Sequence, residues 1–148
     1  MLDLDILSEE EREALNEVML APPSSSAQRV LIVDDDRDMR ELLAEILSLE
    51  GISCLTAAGG NSAMHLLQTH ESITLLVTDL RMAPCNGMEL IRNIRESERA
   101  SLPIIIVSGD ADVRDAIDAM HLSVVDFLLK PIVTKQFVRL VKRELGVE

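Results

Sequence analysis

Val30-Leu31-Ile32-Val33-Asp34-Asp35-Asp36 runs four apolar residues, three of them β-branched, straight into three acids. A strand that is apolar at every position is buried on both faces, as in parallel sheets with helices on either side. The next stretch is helical. Met39, Leu42, Leu43, Ile46 and Leu47 fall on one side of a segment from 37 to about 50. Gly51 stands where a helix C-terminus favours glycine, and Asp36 is placed to cap the N-terminus.

The same alternation continues along the chain. Strands are predicted at 53–57, 75–78, 104–107 (opened by Pro103) and 126–129. Helices are predicted at 61–68, 88–94 and 134–145, with a short one carrying Val113, Ala116, Ile117 and Met120. Five strands alternating with five helices point to an α/β fold, a doubly wound five-stranded parallel sheet. No internal repeat is visible.

Residues 1–28 read differently from the domain at 29–148. Ser8 and Glu11 have capping-box spacing, and Ala14, Leu15, Val18 and Met19 form an apolar face at helical spacing. Pro22-Pro23-Ser24-Ser25-Ser26 then reads as a linker. The expectation is a short N-terminal helical arm joined to one domain. Three uses for it stay open: pairing with its copy in a homodimer, packing on the domain, or binding a target. A helix this short is expected to be frayed and solvated by itself.

Charge and composition exclude several function classes. With 26 acidic and 14 basic side chains the net charge is −12, the wrong sign for direct nucleic-acid or anionic-membrane binding. The only aromatics are Phe127 and Phe137, so no stacking platform for single strands exists. Cys54 and Cys85 do not form a CxxC pair and read as reduced thiols; with no membrane-spanning run and an acidic N-terminus, the expected location is cytoplasmic. His65, His70 and His121 show no ligand spacing.

In an open α/β sheet, ligands bind beyond the carboxyl ends of the strands, where the strand order reverses. The acids Asp34, Asp35 and Asp36 follow the first strand, Asp79 the third, Ser108 the fourth and Lys130 the fifth. Clustered carboxylates repel one another unless a cation sits among them, and oxygen-rich sites suit Mg²⁺. A metal, an ammonium and a hydroxyl around one carboxylate make a receptor for a phosphoryl group.

These segments resemble the receiver domain of two-component response regulators over 29–148. The resemblance rests on Val30 to Asp36, on Leu76-Val77-Thr78-Asp79-Leu80-Arg81-Met82, on Ile106-Val107-Ser108-Gly109 and on Asp126-Phe127-Leu128-Leu129-Lys130-Pro131. It implies a flavodoxin-like topology with Asp79 as phosphoacceptor. It further implies Mg²⁺ on Asp34, Asp35, Asp79 and the Arg81 backbone carbonyl, and Lys130 as the phosphoryl-binding lysine. Ser108 and Phe127 become the hydroxyl and aromatic of the switch, although Phe127 by itself reads as a core residue. The Lys130–Pro131 bond is expected to be cis. Implied partners are a sensor histidine kinase or histidine phosphotransfer protein on one side, and a downstream protein target or output domain on the other.

Two departures fall in the loop after the acceptor. Ala83 separates Met82 from Pro84, and Asn86-Gly87 stands where the family has Asp-Gly. Gly109 is small, which leaves the donor's approach open. Arg81 and Asp110, each two positions past a site residue, are expected to pair across the pocket mouth. The chain ends soon after the last helix, which suits a stand-alone receiver or the receiver piece of a longer regulator. A Mg²⁺-dependent phosphohydrolase is the enzymatic rival, although such enzymes place their nucleophile after the first strand. A binding module that takes Mg²⁺ without phosphate is the third reading.

Overall fold

The computed structural model describes residues 28–82 and 86–147. The expectations for the N-terminal arm before Gln28, and for Ala83, Pro84 and Cys85, lie outside the described residues. In chain order the elements are β1 (Arg29–Val33), α1 (Arg37–Leu49), β2 (Ser53–Ala57), α2 (Gly60–Thr69), β3 (Ile73–Thr78), α3 (Gly87–Arg95), β4 (Ile104–Ser108), α4 (Val113–His121), β5 (Asp126–Leu129) and α5 (Thr134–Leu145). The five strands form one parallel sheet in the order β2-β1-β3-β4-β5.

Successive side chains on a strand point to opposite faces, and both faces here are covered. Leu31, Val33, Leu76, Ile104 and Ile106 pack with α2, α3 and α4 through Ala63, Leu67, Leu90, Ile91, Ile94 and Ala119. Val30, Ile32, Leu75, Val77, Ile105 and Val107 pack with α1 and α5 through Leu43, Leu47, Phe137, Leu140 and Val141. This is why the inner strands read as unbroken apolar runs. The edge strands β2 and β5 are only partly buried, and their sequences are correspondingly mixed.

Local signals act where the sequence places them. The Asp36 carboxylate accepts hydrogen bonds from the backbone N–H groups of Asp38 and Met39 and caps α1. Gly51, with φ of +78°, carries the chain out of that helix in the left-handed region. Strand β3 starts at Ile73, two residues before the predicted start at 75. Arg29 pairs with Ile73 across a register shift, and polar Thr74 interrupts the apolar run that marks the strand in sequence. Among the described residues no helix is long and apolar enough to cross a membrane.

Candidate functional site

The strand order reverses between β1 and β3, so the acids after these neighbouring strands are brought together at their carboxyl ends. Asp34, Asp35 and Asp79 each offer a carboxylate oxygen, and the three oxygens lie within 4.8 Å of one another. Asp34 and Asp79 are buried, whereas Asp35 is exposed. Backbone bonds fix the two buried acids. The N–H of Asp79 donates to the Val33 carbonyl at 3.0 Å, and that of Asp34 to the Ala57 carbonyl at 3.2 Å. The Asp34 carbonyl in turn accepts from the Arg40 guanidinium at 2.8 Å, a clamp from α1 that carries no sequence signature.

Each acid also carries a local bond. Asp79 Oδ1 accepts from the Leu80 N–H at 2.7 Å, and Asp34 Oδ1 from the Asp36 N–H at 2.9 Å. Their second oxygens face the same cation. Lys130 Nζ, brought in from the end of β5, lies 3.1 Å from Asp34 Oδ2 and 3.6 Å from Asp79 Oδ2. Burial alone would push the Lys130 ammonium down, but its hydrogen bond to Asp34 and the charges of Asp34 and Asp79 outweigh that effect. They hold it above the usual lysine range. The Lys130–Pro131 bond is cis, as expected.

Ser108 ends β4 and is fully buried. Its Oγ lies 3.4 Å from the Asp110 carbonyl and accepts from the Asp110 N–H at 3.3 Å, so the hydroxyl is engaged by the loop after the strand. Phe127 lies opposite Ile106 in the β4–β5 register and is half-buried against the α2–α4 side of the core. The fully buried aromatic is Phe137.

Arg81 meets Asp110, but not as a simple pair across the mouth. Its Nε donates to the Asp110 backbone carbonyl at 3.1 Å, while the Asp110 carboxylate stands off at 3.8 Å and is 88% exposed. The shorter contact is to Asp115 on α4, at 2.7 Å. The same Asp115 oxygen accepts from the Asp112 N–H, and Asp112 caps α4 in return. Asp112-x-x-Asp115 is a capping box readable in sequence, whereas its link to Arg81 is tertiary.

Gly87, read in sequence only as part of the Asn86-Gly87 turn, packs against Asp79. Its backbone lies so close to Asp79 that a Cβ there would overlap the Asp79 carbonyl oxygen. Only glycine permits this approach, and the Gly87 N–H donates to the Leu80 carbonyl at 2.9 Å. Asn86, in the slot of the family's usual Asp, caps α3 by accepting from the Glu89 N–H at 2.9 Å. The Asn86-Gly87 departure thus keeps both the cap and the close approach. Gly109 would place a Cβ 3.6 Å from the Lys130 Cβ, an ordinary contact against the lysine stem.

Comparison with known proteins identifies the fold and the family. The family model described as the response regulator receiver domain matches residues 30–142. A solved response regulator receiver protein from Pseudomonas putida is 49% identical, with a TM-score of 0.77, over 78% of this chain and 96% of that one. CheY4 of Vibrio cholerae, at 22% identity, shares the fold with a TM-score of 0.72, over 78% of this chain and 97% of that one. Among curated proteins, the C4-dicarboxylate transport transcriptional regulatory protein DctD of Pseudomonas aeruginosa is 34% identical over 84% of this chain, and 27% of DctD is covered. The transcriptional regulatory protein CpxR of Escherichia coli is 32% identical over 74% of this chain, and 46% of CpxR is covered. The chain therefore spans less than half the length of these curated relatives. With three acids and a lysine gathered at the β1/β3 reversal of a five-stranded parallel sheet, and with the family match reaching into all five strands, the chain belongs to the receiver domains of two-component response regulators.

Proposed function

We propose that Asp79 accepts a phosphoryl group from a phosphohistidine on a sensor kinase or phosphotransfer protein, and that the acyl phosphate is read by a protein partner or output domain. The observation that carries this reading is the shared cation: one Lys130 ammonium between Asp34 and Asp79, with Asp35 alongside. In the transfer, a carboxylate oxygen of Asp79 attacks phosphorus in line. The P–N bond to the donor imidazole breaks, and its electron pair returns to the ring nitrogen. Lys130, already charged and in place, pairs with the new phosphoryl oxygens. Ser108, on leaving the Asp110 loop, donates a hydrogen bond to another.

Three carboxylate oxygens within 4.8 Å of one another suit a hard divalent cation, because only a cation offsets their mutual repulsion. Asp34, Asp35 and Asp79, with the Arg81 carbonyl, would hold Mg²⁺; when bound it neutralises charge on the phosphoryl oxygens during transfer. Movement of Ser108 toward the phosphoryl group opens room beside β4 that Phe127 fills, biasing the surface of α4, β5 and α5 between two states. Water attack on the acyl phosphate then resets Asp79. In this reading the domain is a switch, not a turnover enzyme, and it acts in the cytoplasm.

Asp79→Asn tests the assignment: Mg²⁺-dependent phosphoryl incorporation from a small phosphodonor should disappear. Labelling that persists in this variant would refute it. Sustained turnover of a phosphate ester by the unaltered chain would instead favour a phosphohydrolase.

A further inference from the structure

The chain is strongly acidic, yet one helix face is basic. Lys135, Arg139, Lys142 and Arg143 of α5 line a groove of about 620 Å³ together with Val138, Val147 and Glu50. Lys142 already pairs with Glu50 at 2.7 Å, and Arg143 with its neighbour Glu144 at 3.3 Å. Lys135 and Arg139 are exposed and have no ion-pair partner among the described residues. Two of the three lysines in the whole sequence stand on this groove.

Where the N-terminal segment joins the domain matters as much. Gln28, the first described residue, lines an adjoining hollow with Glu50, Lys142 and Val147, and all three of those residues also line the α5 groove. Residues 1–27 therefore join the domain at the groove's end. They hold seven acids and one base, and their apolar positions Ala14, Leu15, Val18 and Met19 recur at helical spacing. On a helix, Glu10 and Glu17 flank that stripe on one side. The spacer of roughly eight residues before Gln28 reaches up to about 25 Å when extended. Helix α5, with twelve residues, is about 18 Å long. Reach, charge and amphipathic pattern all match.

We infer that residues 1–27 dock in cis along α5, with the apolar stripe on Val138, Val147 and the lysine and arginine stems, and with the acids facing Lys135 and Arg139. Aliphatic stems of cationic side chains cover apolar surface while their charged ends meet carboxylates. A partner that binds the same α5 face therefore competes with residues 1–27.

Carbodiimide coupling of the full chain, which joins lysine amines to carboxylates with no spacer, tests this directly. An equal mixture of light and heavy-nitrogen protein is coupled and mapped by mass spectrometry. The Lys142–Glu50 pair supplies an internal control. The expected result is Lys135 joined to an acid between Glu9 and Glu17 within chains of one isotope, and loss of that product in Arg139→Glu while Lys142–Glu50 persists. Products that mix isotopes assign the groove to a second copy and overturn docking in cis. Formation of Lys142–Glu50 without any Lys135 product overturns docking altogether.

Discussion

The Arg81 guanidinium lies 2.7 Å from the Asp115 carboxylate, although the two residues stand 34 positions apart. The contact ties the loop after β3 to the first turn of α4. The guanidinium is also anchored at Nε by the Asp110 carbonyl, and we propose that it shields an acyl phosphate on Asp79 from water. Arg81→Ala should shorten the lifetime of the acyl phosphate, and Asp115→Asn should do so to a smaller extent because it frees Arg81 without removing it. The ion pair is partly exposed, so Arg81→Ala should change folding stability by less than about 1 kcal/mol. Phosphate release after removal of the donor gives the readout; equal lifetimes in all three proteins would reject a shielding role.

Gly87→Ala forces a methyl group against the Asp79 carbonyl oxygen, a backbone atom, with no flexible side chain to yield. The cost should be at least about 1–3 kcal/mol, as for overpacking a tight interior. Because the strain falls on the peptide of Asp79, the proposed acceptor, phosphoryl uptake should drop more than that of an equally destabilised core variant. Chemical denaturation and uptake, measured side by side, separate the two effects. An alanine variant with unaltered stability would contradict the close approach.

Much of this arrangement is legible in the sequence, and the reasons are local. Continuous apolar runs identify β1 and β4 because both sheet faces are covered, and Asp36 and Gly51 mark the ends of α1 through capping chemistry that depends on neighbours alone. The acids, Ser108 and Lys130 can be placed at one edge because strand ends in a parallel sheet share a side. Contacts set by packing are not legible. The Arg40 clamp on the Asp34 carbonyl, the Arg81–Asp115 bridge and the approach of Gly87 to Asp79 all require the three-dimensional distance between elements.

Adding Mg²⁺ should stabilise the folded chain, since the unfolded chain has no such cluster. At one hundred times the dissociation constant the gain is about 2.7 kcal/mol. Asp35→Asn removes the exposed acid of the trio and should weaken that gain without disturbing the core. Thermal unfolding followed by circular dichroism suits a chain without tryptophan or tyrosine. A melting temperature indifferent to Mg²⁺ in the unaltered protein would count against the metal site.

Burial pushes the Cys54 thiol up to about 11. The thiolate is the reactive form, so alkylation of Cys54 in the folded protein should be slow near neutrality and climb as pH rises toward 11. The same shift favours the protonated thiol in the folded state. Its contribution to stability is therefore intact below the unfolded thiol's value near 9 and is lost as pH rises through 11. Peptide-resolved iodoacetamide labelling across that range checks it; rapid labelling of Cys54 in folded protein near neutral pH would be inconsistent.

Borohydride reduction of the phosphorylated chain tests the central assignment most directly, because hydride converts an aspartyl phosphate to homoserine and leaves ordinary carboxylates untouched. After treatment with a phosphodonor and Mg²⁺, peptide sequencing should find homoserine in place of Asp79 and unaltered aspartate at Asp34, Asp35 and Asp36. Homoserine in place of one of those three acids, or nowhere in the chain, would contradict the account.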